Sequence, residues 1–536
     1  MKQSKSLRRG NIVVLLSIAL LCGCVPLMPY RTVAPTVDLP TAIANANSAP
    51  CSIPAQAGEL DVEGIVPDVC AHQIREDAAN YNLYFSEYDD QGWSYPAGSS
   101  AYGGASEQTR YFVEGVQQLL KKKDERLSVV VFAHGWKHNA HSGDDNVKTF
   151  RKILFDLSRL EQVNNTRCRR RVVGLYVGWR GKTGMFGLLE NLTFWNRKEA
   201  AQRVAQGDVR VLFSHMRTLQ DNANTEWNVA TEKARSASVQ KSAEPRSGAA
   251  PDPAVSDVDP CLKRMRLSTA GHSFGGLIVY TSIAQALIRD VVELGHAEAL
   301  QSDLPPAERV RPVLQREGDL VVVINPAIEA TRLEPLQRAV VEAKLPHYHT
   351  PIFVSITSKD DVATRKAFPV GRWLSTRFDK YPEEPTLNEE EANLYTFGHA
   401  RSFVTHELGL SVAAGTISEG SNLPCTGWSK DIPFEQRLAI EQRNLDSFRQ
   451  ELVGLKNNGA SIVSRHFCGL QTMKLQAFAG TEAWSGNSPV WNVSTAKPIV
   501  NDHNDFDNPL LLEFLRQLYI EAEDRSVARL QLNRRP

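Results

Sequence analysis

The sequence predicts an α/β fold with a mostly parallel central sheet and helices on both faces. Three observations carry this. Short, β-branched, apolar runs recur at Ser128–Phe132, Arg171–Val177, Leu267–Ala270, Leu320–Ile324 and Ile352–Ile356. Such runs read as strands buried on both faces. Segments with helical spacing alternate with them, as in a sheet wound by crossover helices. A glycine-flanked pentapeptide, GHSFG at 271–275, joins one of the strands to one of the helices.

The elements follow in chain order. Residues 1–23 carry Lys2, Lys5, Arg8 and Arg9, then an apolar run from Ile12 to Leu21. The run is shorter than the roughly 20 residues a bilayer requires, so it reads as an export signal. Residues 24–75 open with a stretch rich in Pro, Ala, Ser and Thr and read as a tether and N-terminal segment. The main domain is expected over 76–536. It begins with an aromatic strand at Tyr81–Tyr88, read as antiparallel and closed by the turn Asp89-Asp90-Gln91-Gly92. Helices are expected at Asn146–Leu160, where Val147, Phe150, Ile153, Leu154 and Leu157 share a face, at Glu199–Leu219 and at Leu277–Ile288. Trp491–Val493 is a last strand and Asn508–Tyr519 a last helix. Two insertions interrupt the order. Residues 234–260 have few large apolar side chains and read as disordered. Residues 380–480, with an acidic patch at Glu383–Glu391 and a helix near Phe434–Leu455, read as a cap or a surface elaboration.

Hydrophobic residues make up 42% of the 536 and charged residues 23%, which fits a globular chain with a large core. Lys plus Arg equals Asp plus Glu at 61 each, so there is no basic excess to hold nucleic acid and no net field to steer a charged substrate. The sequence does not set an oligomeric state. Leu21-Cys22-Gly23-Cys24 resembles the lipobox of bacterial lipoproteins. That resemblance implies lipidation of Cys24 and, with Val25 following, an outer-membrane destination facing the periplasm or the surface. Six cysteines then remain in an oxidising compartment. Nearest-neighbour pairing gives Cys51–Cys70, Cys168–Cys261 and Cys425–Cys468, although six cysteines allow 15 pairings. The middle pair precedes two parallel strands. No CxxC spacing suggests a metal site, and the chemistry below requires no metal or organic cofactor.

Ser273, at the centre of GHSFG, sits where small residues permit a sharp strand-to-helix turn that presents a hydroxyl above the sheet. A serine hydroxyl needs a base to become a nucleophile, and the oxyanion it creates needs donors. The run Val129–Phe132 ends in Ala133-His134-Gly135-Trp136. The strand Ile352–Ile356 runs into Ser358-Lys359-Asp360-Asp361. His503 lies between the last strand and the last helix.

Together these residues resemble the α/β-hydrolases, over roughly 128–519 less the two insertions. The resemblance implies an α/β-hydrolase fold with a long insertion before the histidine, and a chain order of nucleophile, acid, histidine. It implies Ser273 as nucleophile, Asp361 as acid with Asp360 and Glu329 as alternatives, and His503 as base with His399 second. The backbone N–H groups of Trp136 and Phe274 would form the oxyanion hole. His134 would shape its loop, and Lys137, His138, Asn139 and His141 would form a polar, solvated continuation. The implied activity is esterase- or lipase-like hydrolysis of a small-molecule or lipid ester. A peptidase, amidase or acyltransferase uses the same groups, and a non-catalytic lipoprotein module is the reading from another class. The lipid anchor would be the contact with the membrane.

Overall fold

The computed structural model describes residues 28–33, 51–53, 70–78, 80–96, 107–164, 168–182, 193–242, 258–300, 318–345, 349–381, 389–410, 463–467, 471–481 and 485–523. Among the described residues, twelve strands form one mixed sheet. They are β1 Cys51–Ile53, β2 Arg75–Ala78, β3 Tyr81–Tyr88, β4 Leu127–Ala133, β5 Arg171–Trp179, β6 Met265–His272, β7 Leu320–Ile324, β8 Phe353–Ser358, β9 His406–Leu410, β10 Val463–Phe467, β11 Gln471–Ala477 and β12 Val490–Thr495. The α-helices among the described residues are α1 Gln108–Leu120, α2 Asp145–Asn164, α3 Phe194–Gln206, α4 Val209–Ala223, α5 Thr225–Ser242, α6 Phe274–Ala299, α7 Glu334–Ala343, α8 Phe368–Thr376, α9 Glu389–Leu394 and α10 Pro509–Glu523. Across the sheet the strands run β1-β2-β3-β5-β4-β6-β7-β8-β12-β9-β11-β10.

From β3 through β12 every neighbouring pair is parallel. The register aligns Ala133 with Gly271, His272 with Ile324, and Ile324 with Ile356. The loops that leave these residues therefore emerge together at the carboxyl ends of the strands, where an open parallel sheet places its ligands. Side chains alternate between faces, as period-2 strands require. Val129 and Val131 pack with α1, α3, α4, α6 and α7, whereas Val130 and Phe132 pack with α2 and α10.

Five expectations change. The strand Tyr81–Tyr88 is antiparallel only to β2 and parallel to β5, because β1 and β2 extend the sheet beyond it. The helix expected over Glu199–Leu219 is broken at Gly207 into α3 and α4. The backbone of Gly92 approaches there so closely that a Cβ on Gly207 would lie 2.4 Å from the Gly92 carbonyl oxygen. The segment 24–75 is more than a tether. Cys51–Ile53 pairs with β2, and the buried Arg31 is bonded to Glu76, which also takes Arg151. An arginine taken out of water this far must be paired, and burying it fixes the N-terminal segment on the sheet. The 234–260 stretch starts as helix, since α5 runs to Ser242; residues 243–257 lie outside the described residues. Within 380–480, the described part contributes α9 and the strands β9, β10 and β11, which extend the sheet past β12; the expected cap would fall on residues 382–388 and 411–462, outside the described residues. The helix expected near Phe434–Leu455 lies outside the described residues.

Cys168 and Cys261 form a disulfide with a Cα–Cα distance of 4.9 Å, within the normal range for such bridges. Cys70 is disulfide-bonded as well. The pairings expected for Cys51, Cys425 and Cys468, and the expected lipidation of Cys24, fall on side chains outside the described residues. Among the described residues, no helix is long and apolar enough to cross a membrane.

Candidate active site

Ser273 occupies the turn between β6 and α6 with φ 55 and ψ −118. A positive φ is costly for a residue bearing a Cβ and persists only where the surroundings enforce it. Here they do. The Ser273 N–H donates to the Ile324 carbonyl at 3.0 Å, and α6 starts at once. Gly275 passes so near β4 that a Cβ would come within 1.9 Å of the Ala133 oxygen, so only glycine lets the turn close.

The three residues expected from separate parts of the chain meet in a line. His503 Nε2 lies 2.8 Å from Ser273 Oγ, and His503 Nδ1 lies 2.8 Å from Asp361 Oδ2. With the carboxylate accepting from Nδ1–H, Nε2 is free to accept the serine proton. Asp361 is fully buried, after β8. Its Oδ1 accepts the N–H groups of Ala363 and Thr364 at 2.9 and 3.1 Å, and its Oδ2 also accepts from Thr364 Oγ1. Burial alone would raise its pKa. The hydrogen bond and charge of His503, with the Thr364 bonds, outweigh burial and hold the carboxyl below its usual range.

The alternatives are placed elsewhere. Asp360 accepts the Lys497 N–H at 3.0 Å and turns away from the histidine. Glu329 is ion-paired with Lys198 at 2.7 Å. His399 sits behind the acid, its Nε2 2.9 Å from Thr364 Oγ1. Burial pushes its imidazole down to about 4.

The loop after β4 crosses beside the serine. A Cβ on Gly135 would lie 3.0 Å from Ser273 Cβ, which places Trp136 next to the turn. Phe274 opens α6, and the first N–H groups of a helix have no carbonyl within it to bond. His134 is fully buried, stacked on Tyr176 and Trp179, and pushed by burial to about 4. Its Nδ1–H donates to the Gly135 carbonyl at 2.8 Å, and its Nε2 accepts the Trp179 N–H at 3.1 Å. It shapes the loop, as expected. The continuation is bonded inward more than expected. His138 Nδ1 meets Asp144 at 3.0 Å and its Nε2 accepts from Asn146 at 3.2 Å, while Asn139 is buried.

Two residues escaped the sequence reading. His272 Nε2–H donates to the His503 carbonyl at 2.7 Å, and the two rings lie 5.0 Å apart. Burial, then the neighbouring His503, push the His272 imidazole down to about 3, so it stays neutral. Asn325, with φ 45, donates through Nδ2 to the carbonyls of Asp502 and His503 at 3.1 and 3.0 Å, and its Oδ1 accepts the Ser358 N–H at 3.0 Å. It therefore ties the histidine loop to the strand that carries the acid. The signals were present, in the variable position before Ser273 and in an asparagine ending a buried strand. Neither residue type at such a place has a single meaning.

Among the described residues, the cluster with metal-ligand spacing is Cys168, Asp259 and Cys261. The disulfide between its cysteines removes the thiolates a metal would need. No family model, no curated protein and no solved structure matches this chain.

Proposed function

We propose that this protein is a serine hydrolase with an α/β-hydrolase fold that cleaves a carboxylic ester through an acyl-enzyme, carried as a lipoprotein on the outer membrane. The observation that carries the reading is the continuous Asp361–His503–Ser273 hydrogen-bonded line ending on a serine of strained backbone. His503 Nε2 takes the Ser273 proton as Oγ attacks the ester carbonyl. Asp361 holds the imidazole in the required tautomer and stabilises the imidazolium. The N–H groups of Trp136 and Phe274 receive the oxyanion, helped by the positive end of α6. His503 then protonates the departing alcohol, and a water that it activates releases the acid.

The sequence supports the same reading independently. The nucleophile, acid and histidine occur in the chain order of that fold, and the strand–turn–helix around Ser273 is present. The test is covalent. A fluorophosphonate probe is expected to label the wild-type chain at Ser273 and to leave Ser273→Ala unlabelled, with hydrolysis of acyl esters following the label. A folded wild-type chain that takes no label would favour the non-catalytic module instead.

A further inference from the structure

We propose that α8 and the turn after it form a membrane-docking face on the rim of this site, so that the ester is drawn from the lipid of the leaflet beneath. The substrate part of this proposal rests on the hydrolase reading above.

The first observation is an exposed apolar surface on and beside α8. Trp373, Leu374 and Phe378 are 54%, 59% and 82% exposed, and Val362 and Val370 are exposed beside them. A soluble surface scatters such residues singly, whereas a group of them marks an interaction site. Val362 directly follows Asp361, so the group begins at the site itself. Exposed Arg365, Lys366, Arg377 and Lys380 flank the apolar residues, against one exposed carboxylate in the same stretch, Asp379. Trp, Leu and Phe on one side with Lys and Arg around them is the composition of a helix that lies in a lipid interface.

The second observation is what lies beneath. Gly371 lets α8 press onto Trp195, since a Cβ there would lie 2.2 Å from the indole. Phe368 packs on Trp195 and Phe194, with ring centres 5.7 and 6.4 Å away. Phe194 in turn meets Phe274 at 4.9 Å and Trp136 at 5.2 Å. An aromatic wall thus runs from the two expected oxyanion donors to the exposed helix.

The third observation fixes the occupant. Tyr30 and Arg31 are held by Glu87, at the carboxyl end of β3. Arg31 also bonds Ala140, and Asn139 donates to the Tyr30 hydroxyl. Asn139 and Ala140 belong to the loop that carries Trp136. Cys24 stands six residues before Tyr30. Six residues reach at most about 20 Å when fully extended. A lipid on Cys24 would therefore keep the carboxyl end of β3 within that distance of a bilayer, and α8, which follows β8, lies at the same end of the sheet five strands away.

The test uses the chain from residue 24 onward with Cys24→Ser, so that no acyl anchor contributes. Vesicles of phosphatidylethanolamine and phosphatidylglycerol are expected to co-sediment with it. Trp373→Ser/Leu374→Ser/Phe378→Ser in that background is expected to weaken binding at least ten-fold with an unchanged melting temperature. A chain that stays in the supernatant, or a triple variant that binds equally well, overturns the docking face. So does a triple variant whose only change is from dimer to monomer in sedimentation velocity, which would make this an interface between copies. Fluorophosphonate labelling of the same samples separates the two readings. Vesicle binding without a label at Ser273 supports the docking face and overturns the hydrolase. A labelled chain indifferent to vesicles overturns the docking face alone.

Discussion

The two ends of the sheet bury different mixtures of polar groups: both hold ion pairs, such as Lys198–Glu329 and Arg197–Asp90 at the carboxyl end, but the carboxyl end also sets neutral rings around a histidine. At the carboxyl end, His134 and His272 are buried as neutral rings, and Asn325 and Thr364 supply uncharged hydrogen bonds. At the amino end the buried groups are charged and paired. Glu161 is surrounded by Arg170 at 3.5 Å, Arg266 at 3.7 Å and the Tyr519 hydroxyl, which also meets Ser128 at 2.7 Å. Asp319 accepts from Lys263 at 2.8 Å, from Gln220 at 2.6 Å and from the Leu267 N–H at 2.9 Å. The Cys168–Cys261 bridge closes the same end. Paired charges and a covalent bridge lock geometry. Neutral donors from His272 and Asn325 hold the loop of one histidine in place. On the proposed reading, the difference separates an end that holds the fold from an end that moves a proton.

Mutation can break this division most sharply at the proton-moving end. Ser273→Ala and His503→Gln are expected to lower ester kcat/KM by about ten thousand-fold or more, with the melting temperature nearly unchanged. His399→Gln should keep most of the activity, because His399 contacts Thr364 and not the serine. A dead His399→Gln beside an active His503→Gln would reassign the base.

Acid should open the two ends in order. His134, His272 and His399 have folded pKa values of about 4, 3 and 4, all pushed down by burial. Their unfolded value is near 6.5, so between those limits the unfolded chain binds more protons. Stability is therefore fully present above about pH 6.5 and falls as pH drops toward 4. Asp319 is buried, which alone would raise it, but Lys263 and Arg266 hold it below its ordinary value. Its contribution persists through that window and fails only further down. Urea unfolding at stepped pH should show proton uptake between pH 6.5 and 4, and His399→Gln should reduce it. A flat profile there would contradict neutral burial of these rings.

The fold-holding end is tested by stability with activity as the control. Removing the bridge with Cys168→Ser/Cys261→Ser frees a loop with a sequence separation of 93, for which chain entropy gives a loss of about 4–5 kcal/mol. Arg266→Met leaves Glu161 buried with one cation fewer, at a cost of about 3–5 kcal/mol. Both should retain near wild-type kcat well below their lowered melting temperatures. Asn325→Ala is expected to act on the chemistry instead of on stability. Loss of its bonds to the histidine loop should lower kcat about 10- to 100-fold with little change in KM, since a misplaced base weakens only the chemical step.

Much of the carboxyl end was legible because each part of the proposed site needs a distinctive local pattern. Ser273 required small neighbours and a strand–turn–helix. Asp361 required a polar turn after an apolar strand, and His503 a place between a last strand and a last helix. The amino-end network was not legible. Glu161, Arg266 and Tyr519 come from a helix end, a strand start and the last helix, and no sequence spacing announces that they meet. The extra strands were missed for a related reason. Cys51–Ile53 is three residues long, and β9 to β11 lie at one margin of the sheet, where the apolar pattern of the sequence is weak. The helix break at Gly207 depends on a distant residue, Gly92, and glycine within a helical pattern does not say what approaches it.

The position of β12 bears on how the chain matures. It lies between β8 and β9, so β9, β11 and β10 reach the sheet only through it. A chain emerging from its amino terminus can build the sheet as far as β8, but the strands at 406–477 have no seat until residues 490–495 have arrived. The histidine follows eight residues later. Completion of the scaffold and arrival of His503 beside Ser273 are therefore nearly one event. A product truncated anywhere before residue 490 would carry an exposed β8 edge and an unpaired serine together. Such a chain would be sticky and inert, and proteases rather than substrates would be its fate.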